Sequence, residues 1–277
     1  MGMFGNRLFY WMLPCLLFLG ISLAPVPSLA GDEPEVYGGI EYFTWREFDE
    51  AGQILKESGP RYEIGFTNTH EFPNNMTLKP RVEFFGGDVD YNGQACDIFG
   101  NCVPASTDTY YFGLKGEMDL GVRLWSDSRA LNVEPFAGLG IRGWSRKIKD
   151  SALAVGYTEN WTTFYGRMGL RAEQNLSGRS KLFIEGGVKL PIRTSNYIDD
   201  SNVSYSSINL HPRNEPSFFA EVGAKLTVFS ISAYYDSMRF KQSDVVYNYD
   251  PFSGLIIGYF QPKSESDMIG VRFGYLF

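Results

Sequence analysis

The chain has 277 residues, 16% of them aromatic, with 30 glycines, three cysteines and a net charge of −7. That acidic balance excludes the basic footprint of a nucleic-acid-binding protein. Beyond the first thirty residues no run approaches the roughly 18 consecutive apolar residues a spanning helix needs, so any membrane crossing has to be made by a closed sheet that pairs all its backbone groups.

In chain order, residues 1–30 read as an export signal. Arg7 supplies a short basic region, Leu8 to Leu23 an apolar core, and Ser28-Leu29-Ala30 places small residues at the two positions a signal peptidase reads. The rival is an uncleaved anchor, which Pro14, Pro25 and Pro27 disfavour, and lipid attachment at Cys15 is disfavoured by the preceding Leu13-Pro14. Cleavage after Ala30 leaves one domain, residues 31–277, with 24 basic against 32 acidic side chains.

That domain alternates apolar and polar residues at period two, in segments separated by turn-forming clusters. Ten strands are predicted, at 35–47, 60–70, 76–91, 108–122, 133–146, 160–174, 180–193, 215–228, 230–241 and 264–277. In the seventh, Leu182, Ile184, Gly186, Val188, Leu190 and Ile192 form one row, and Lys181, Phe183, Glu185, Gly187, Lys189 and Pro191 the other. Connections alternate: 71–75, 123–132, 175–179 and about 229 are short, whereas 48–59, 92–107, 147–159, 194–214 and 242–263 are longer and polar. Within 92–107, Cys96 and Cys102 have the spacing of a small disulfide-closed loop in an oxidising compartment. Metal binding is the alternative, but no further Cys or His lies nearby to complete a ligand set.

The fold expected is all-β: a transmembrane, antiparallel, up-and-down barrel of about ten strands, with short turns and both termini on one rim and long loops on the other. A soluble barrel has the same alternation with the charged rows turned outward. Three features favour the membrane. The apolar rows are long enough to cross a bilayer at a tilt. Tyr37, Tyr42, Trp45, Tyr62, Tyr110, Trp125, Trp161 and Tyr275 lie near strand ends, where an interfacial girdle belongs. Lastly, Ile269, Val271, Phe273, Tyr275 and Phe277 alternate up to a terminal aromatic residue.

This last motif resembles the C-terminal strand signal of the bacterial outer-membrane β-barrel superfamily, and Pro135-Phe136-Ala137-Gly138-Leu139-Gly140-Ile141 resembles a strand common in its small members. The resemblance implies an outer-membrane location, a lipid and lipopolysaccharide environment, and delivery to the barrel-assembly machinery. With ten strands the interior is only modestly wider than one that side chains fill. Charged rows such as Glu41, Arg61, Glu83, Lys115, Arg167, Glu185 and Arg272 are therefore expected to pair as a polar plug, leaving contact with some extracellular ligand to the loops. A narrow channel is the first alternative.

The second alternative is catalytic. Asp88-Val89-Asp90 sets two carboxylates on one strand face, and His211 falls in another long loop, so a pair of acids facing a histidine across the mouth could activate water. This arrangement resembles that of the omptin proteases, except that Asn209 stands where the family has a second carboxylate beside the histidine. An amide there cannot stabilise an imidazolium by charge. No Gly-rich phosphate loop, His-Glu-x-x-His or Gly-x-Ser-x-Gly is present, so no cofactor and no metal is expected. His70, Asp199-Asp200 and the run 247–250 read as rim and loop residues.

Overall fold

A computed structural model describes residues 33–96, 101–124, 131–176, 180–199, 207–250 and 254–277. The proposed export signal and Trp125 lie outside them. Ten long strands form the wall: β1 Glu35–Asp49, β2 Gly52–Thr67, β3 Met76–Cys96, β4 Cys102–Val122, β5 Leu131–Ile148, β6 Thr158–Asn175, β7 Lys181–Asp199, β8 Ser217–Lys225, β9 Phe229–Lys241 and β10 Lys263–Leu276. Each pairs antiparallel with its neighbours in sequence, and β1 pairs with β10 from Glu35↔Leu276 to Phe48↔Lys263, which closes the barrel. Closure removes the free edges that an open sheet of this size would expose.

The two rows of each strand separate as a lipid solvent demands. On β7 Ile184 is 58% exposed and its neighbour Glu185 only 2%. The same division holds for Phe112, Leu120, Leu139, Leu170, Phe218, Val222 and Phe273 outside, against Arg61, Lys115, Arg167, Lys189 and Arg272 inside. A soluble barrel inverts this pattern, because water would solvate the charges and bury the hydrocarbon. The closed sheet, apolar outside and ionic inside, is the architecture of bacterial outer-membrane barrels. Its apolar belt ends on β1 near Tyr42 and on β2 near Tyr62, with Arg46 and Lys56 further along the same outward rows, so Tyr42 and Tyr62 face outward where the apolar row gives way to charge. Tyr37, Trp45 and Trp161, read from the sequence as girdle residues, instead point inward and are buried. Nearness to a strand end gives the height of a side chain in the wall, whereas its parity gives the face.

The strands also outrun their predicted ends on the rim away from the termini. Segment 48–59 is not a loop: β1 and β2 continue into a tight turn in which Asp49 Oδ1 accepts the amides of Ala51 (2.8 Å) and Gly52 (3.0 Å). Residues 92–96 and 102–107 likewise continue the β3–β4 ladder to Cys96↔Cys102, where the expected disulfide closes the tip. Once a strand leaves the membrane its outward row turns polar (Asp88, Asp90, Asn92), so alternation fades while backbone pairing goes on.

Proline shapes the remaining irregularities, because it gives no amide to a ladder. Pro191 sits on β7 beside a register shift opposite Phe164 and Tyr165. Ahead of β8, Pro212 and Pro216 split the wall into the short strands Ser207–Leu210 and Arg213–Glu215. Side chains stitch that seam: Asn214 Nδ2 donates to Ile192 O (2.9 Å), Ser237 Oγ accepts from Phe218 N (2.9 Å), and Ser217 Oγ accepts from Arg239 N (2.9 Å). Between β9 and β10 a separate hairpin, Val246–Asp250 with Leu255–Tyr259, extends the same rim.

Candidate functional site

The densest chemistry lies inside the barrel, arranged in two layers. Toward the short-turn rim, acids and bases from facing strands interlock. Arg272 on β10 binds Glu63 on β2 (2.6 Å), Glu83 on β3 (2.8 Å) and Glu221 on β8 (3.3 Å). Glu185 on β7 is the reciprocal hub, receiving Arg171 (2.8 Å), Arg167 (2.9 Å) and Lys79 (3.0 Å). Lys115 pairs with Glu83 (2.8 Å), and Lys189 with Asp236. Tyr234 donates to Glu41 (2.7 Å) and its ring lies 3.7 Å from the Arg272 guanidinium. Charges this deep are tolerable because each hub meets several opposite partners.

Inward aromatics opposite glycine give the interior its density. Tyr37 faces Gly65, Phe85 Gly113, Phe136 Gly169, Tyr165 Gly140, Phe183 Gly223 and Tyr234 Gly270 across neighbouring strands. In each pair the ring lies over the glycine, where a Cβ would collide with it. Such pairs cover backbone that glycine leaves bare and fix the register.

Toward the opposite rim the filling becomes aromatic. Trp144 stacks on Trp161 at 5.3 Å, with Trp45 edge-on to Trp161 at 5.1 Å, and Phe43, Tyr111 and Phe240 complete the layer. Above it Arg146, fully buried on β5, reaches Glu57 on β2 (2.9 Å), Glu47 on β1 (3.0 Å) and Glu159 on β6 (2.9 Å). One gap lined by Phe43, Arg61, Tyr111 and Arg142 gives the centre of a water-sized sphere about 10 Å³, and another lined by Tyr37, Arg81, Glu221 and Arg272 about 30 Å³. These are on the scale of one or a few waters.

The sequence singled out the charged rows correctly but gave no special place to Arg146, Glu47, Glu57, Glu159 or Asp236. The only available signal was inward parity continued past the apolar belt.

Asp88, Asp90 and His211 are not brought together. Asp88 and Asp90 do share a face, but it is the outer one, in line with lipid-facing Phe84. There Lys149 binds Asp88 (2.9 Å) and Asp108 (3.3 Å), and these bonds hold its ammonium above the ordinary lysine range. His211 is exposed beyond the far wall, on the side of Asn209, whose Oδ1 accepts from Ser195 Oγ (2.7 Å). Since β3 and β8 stand five places apart in a ring of ten, the acids and the histidine sit on opposite outer sides. His70 lies at the terminal rim, edge-on to Phe72 at 4.6 Å. The outward residues of the C-terminal motif, Ile269, Val271, Phe273, Tyr275 and Phe277, remain exposed along β10 and just past its end. Asp200 lies outside the described residues.

No family model and no curated protein sequence matches the chain. Among solved structures it is similar to the outer-membrane protease OmpT of Escherichia coli, with a TM-score of 0.58 and 10% identity over 90% of this chain and 98% of that one. It is more distantly similar to a major outer-membrane protein of Thermus thermophilus (TM-score 0.43, 12% identity, 89% and 99% covered) and to the β domain of the Bordetella autotransporter BrkA (0.38, 13%, 87% and 98%). At such identities the likeness is one of fold. By its closed sheet and apolar belt, the chain is a ten-stranded β-barrel with the fold of bacterial outer-membrane barrels.

Proposed function

We propose that the chain is a non-enzymatic outer-membrane barrel whose interior is closed by its own side chains and which acts through the ribbons on its extracellular rim. The observation that carries this reading is the Arg272 and Glu185 network, which ties facing walls together across the lumen. Ten strands leave little bore to begin with, and the aromatic layer above the network adds large side chains to it. The surface role is supported by the hairpin 246–259, which presents Tyr247, Tyr249, Leu255 and Ile256 to solvent, a concentration of apolar side chains typical of contact sites. Removal of residues 1–30 and recognition of the Phe277 strand by the assembly machinery belong to the same reading, and the mass of the exported protein, starting at Gly31, reads the first.

Planar-bilayer recording of the refolded protein at neutral pH tests the closed interior. No steady unit current is expected. Reproducible conductance steps, absent from protein-free bilayers, would establish a continuous water path and overturn it.

A further inference from the structure

The extracellular end of the barrel contains a charge imbalance that the plug below it lacks. Three carboxylates, Glu47, Glu57 and Glu159, surround the single Arg146 guanidinium, and all four groups are buried. Glu57 has a full set of donors for an anion: Thr109 Oγ1 (2.7 Å), the Tyr111 hydroxyl, and Arg146 through Nε and Nη2. Glu47 and Glu159 share Arg146 Nη1. Glu47 Oε1 also accepts from Trp45 Nε1 (2.8 Å) and Gln261 Nε2 (3.2 Å), and Glu159 Oε2 accepts from Trp161 Nε1 (2.8 Å). The other titratable groups around the cluster are the hydroxyls of Tyr91 on β3 and of Tyr157 ahead of β6, besides Tyr111 on β4; β7 and the segment before β10 contribute the neutral Asn196 and Gln261. Arg61 on β2 lies near the Tyr111 ring but is bound to Glu41, and among the described residues Arg146 is the one cation paired with Glu47, Glu57 or Glu159. Three ionised carboxylates on one guanidinium would leave two uncompensated negative charges away from water, and one bound proton cancels one of the two.

We propose that the Glu47 and Glu159 carboxyls, which share Arg146 Nη1, keep one proton between them at neutral pH and work as a latch on the extracellular mouth: release of that proton to bulk water sets Glu47 and Glu159 repelling each other on Arg146, and the bracket joining β5 to β1 and β6 loosens. The cluster lies above the apolar belt, level with outward-facing Arg46 and Lys56. Burial pushes the Glu47 carboxyl up; Arg146 pulls against it, and the Glu159 and Glu57 charges push with it. Directly beneath are Trp45, Trp144 and Trp161, so an open latch admits water to the tryptophan layer first.

Acrylamide quenching of a protein carrying Trp11→Phe and Trp125→Phe, in which Trp45, Trp144 and Trp161 give the emission, reads the latch. As the pH is raised from neutral into the alkaline range the quenching constant should rise several-fold along a single-proton curve. A Glu47→Gln variant, which keeps the shape and needs no proton, should hold the low value throughout, whereas Glu33→Gln at the other rim should follow the parent. Equal quenching at neutral and alkaline pH, or an unchanged titration in Glu47→Gln, overturns the latch. If Glu47→Gln does not fold, infrared spectra of the parent decide: the protonated-carboxyl stretch must lose intensity over the same interval, and a constant band overturns the proposal. The closed interior and the latch fail separately, the first on conductance at neutral pH and the second on absence of this titration.

Discussion

A single arginine can hold several strands at once in this interior. Arg272 binds Glu63, Glu83 and Glu221; Lys115 also serves Glu83 and Arg81 also serves Glu221, so removal of Arg272 strands Glu63 above all. Breaking one side of a buried ion pair costs about 3–5 kcal/mol. Arg272→Ala should lose at least that much in urea unfolding from lipid vesicles, while Arg213→Ala, whose Asp244 pair is exposed, should stay within about 0.5 kcal/mol of the parent. Glu33, just before β1, makes a second prediction. Burial works to raise its carboxyl, but the Lys225 and Lys181 ammonium groups outweigh burial and hold it down at about 2. A carboxyl depressed on folding stabilises the native state above its ordinary value of 4.5 and loses that contribution as the pH falls toward about 2. Glu33→Gln should therefore unfold with a shallower acid dependence below about pH 4.5 and an unchanged slope above neutrality, followed by tryptophan emission against pH.

Among the elements, the β3–β4 ribbon departs furthest from a simple wall strand. Its strands pair for 21 residues each, and the Cys96–Cys102 disulfide closes only the tip. Closing so short a loop restricts the unfolded ribbon by about 2 kcal/mol, and the restriction acts locally because the tip stands apart from the ion-pair network. Reduction should leave barrel melting unchanged and speed proteolytic nicking of the tip, seen as two fragments in denaturing gels. The ribbon also explains why Asp88 and Asp90 face outward. Pairing runs unbroken from Phe84 to Cys96, so the parity set by the lipid belt persists above it, and a carboxylate pair at those positions cannot turn into the mouth.

For the whole molecule, the two solvents fix the orientation of every row: hydrocarbon outside, and an interior in which charges solvate one another. Ile184→Arg, at an exposed belt position, should cost about 2–4 kcal/mol near the bilayer midplane in vesicle unfolding. The same substitution at Thr162, outward on β6 above the belt, should cost less than about 1 kcal/mol. Equal penalties at the two sites would contradict the belt. The Arg146 cluster and the Arg272 network lie toward opposite rims, and of the two it is Arg146 that carries surplus acid, which places the proposed pH response at the rim away from the termini.

The amino-acid order alone determined the strand count, the membrane class and the identity of most interior charges, because period-two patterning and length are local properties of a strand crossing a bilayer. Its reach ended with the belt. Above the membrane both faces of a strand turn polar, so the ribbons read as loops, and three aromatic residues near strand ends read as girdle although they face inward. Which acid meets which base, the covering of glycines by rings across neighbouring strands, and the separation of Asp88 and Asp90 from His211 were decided only by closure and register, since these set distances between residues far apart in sequence.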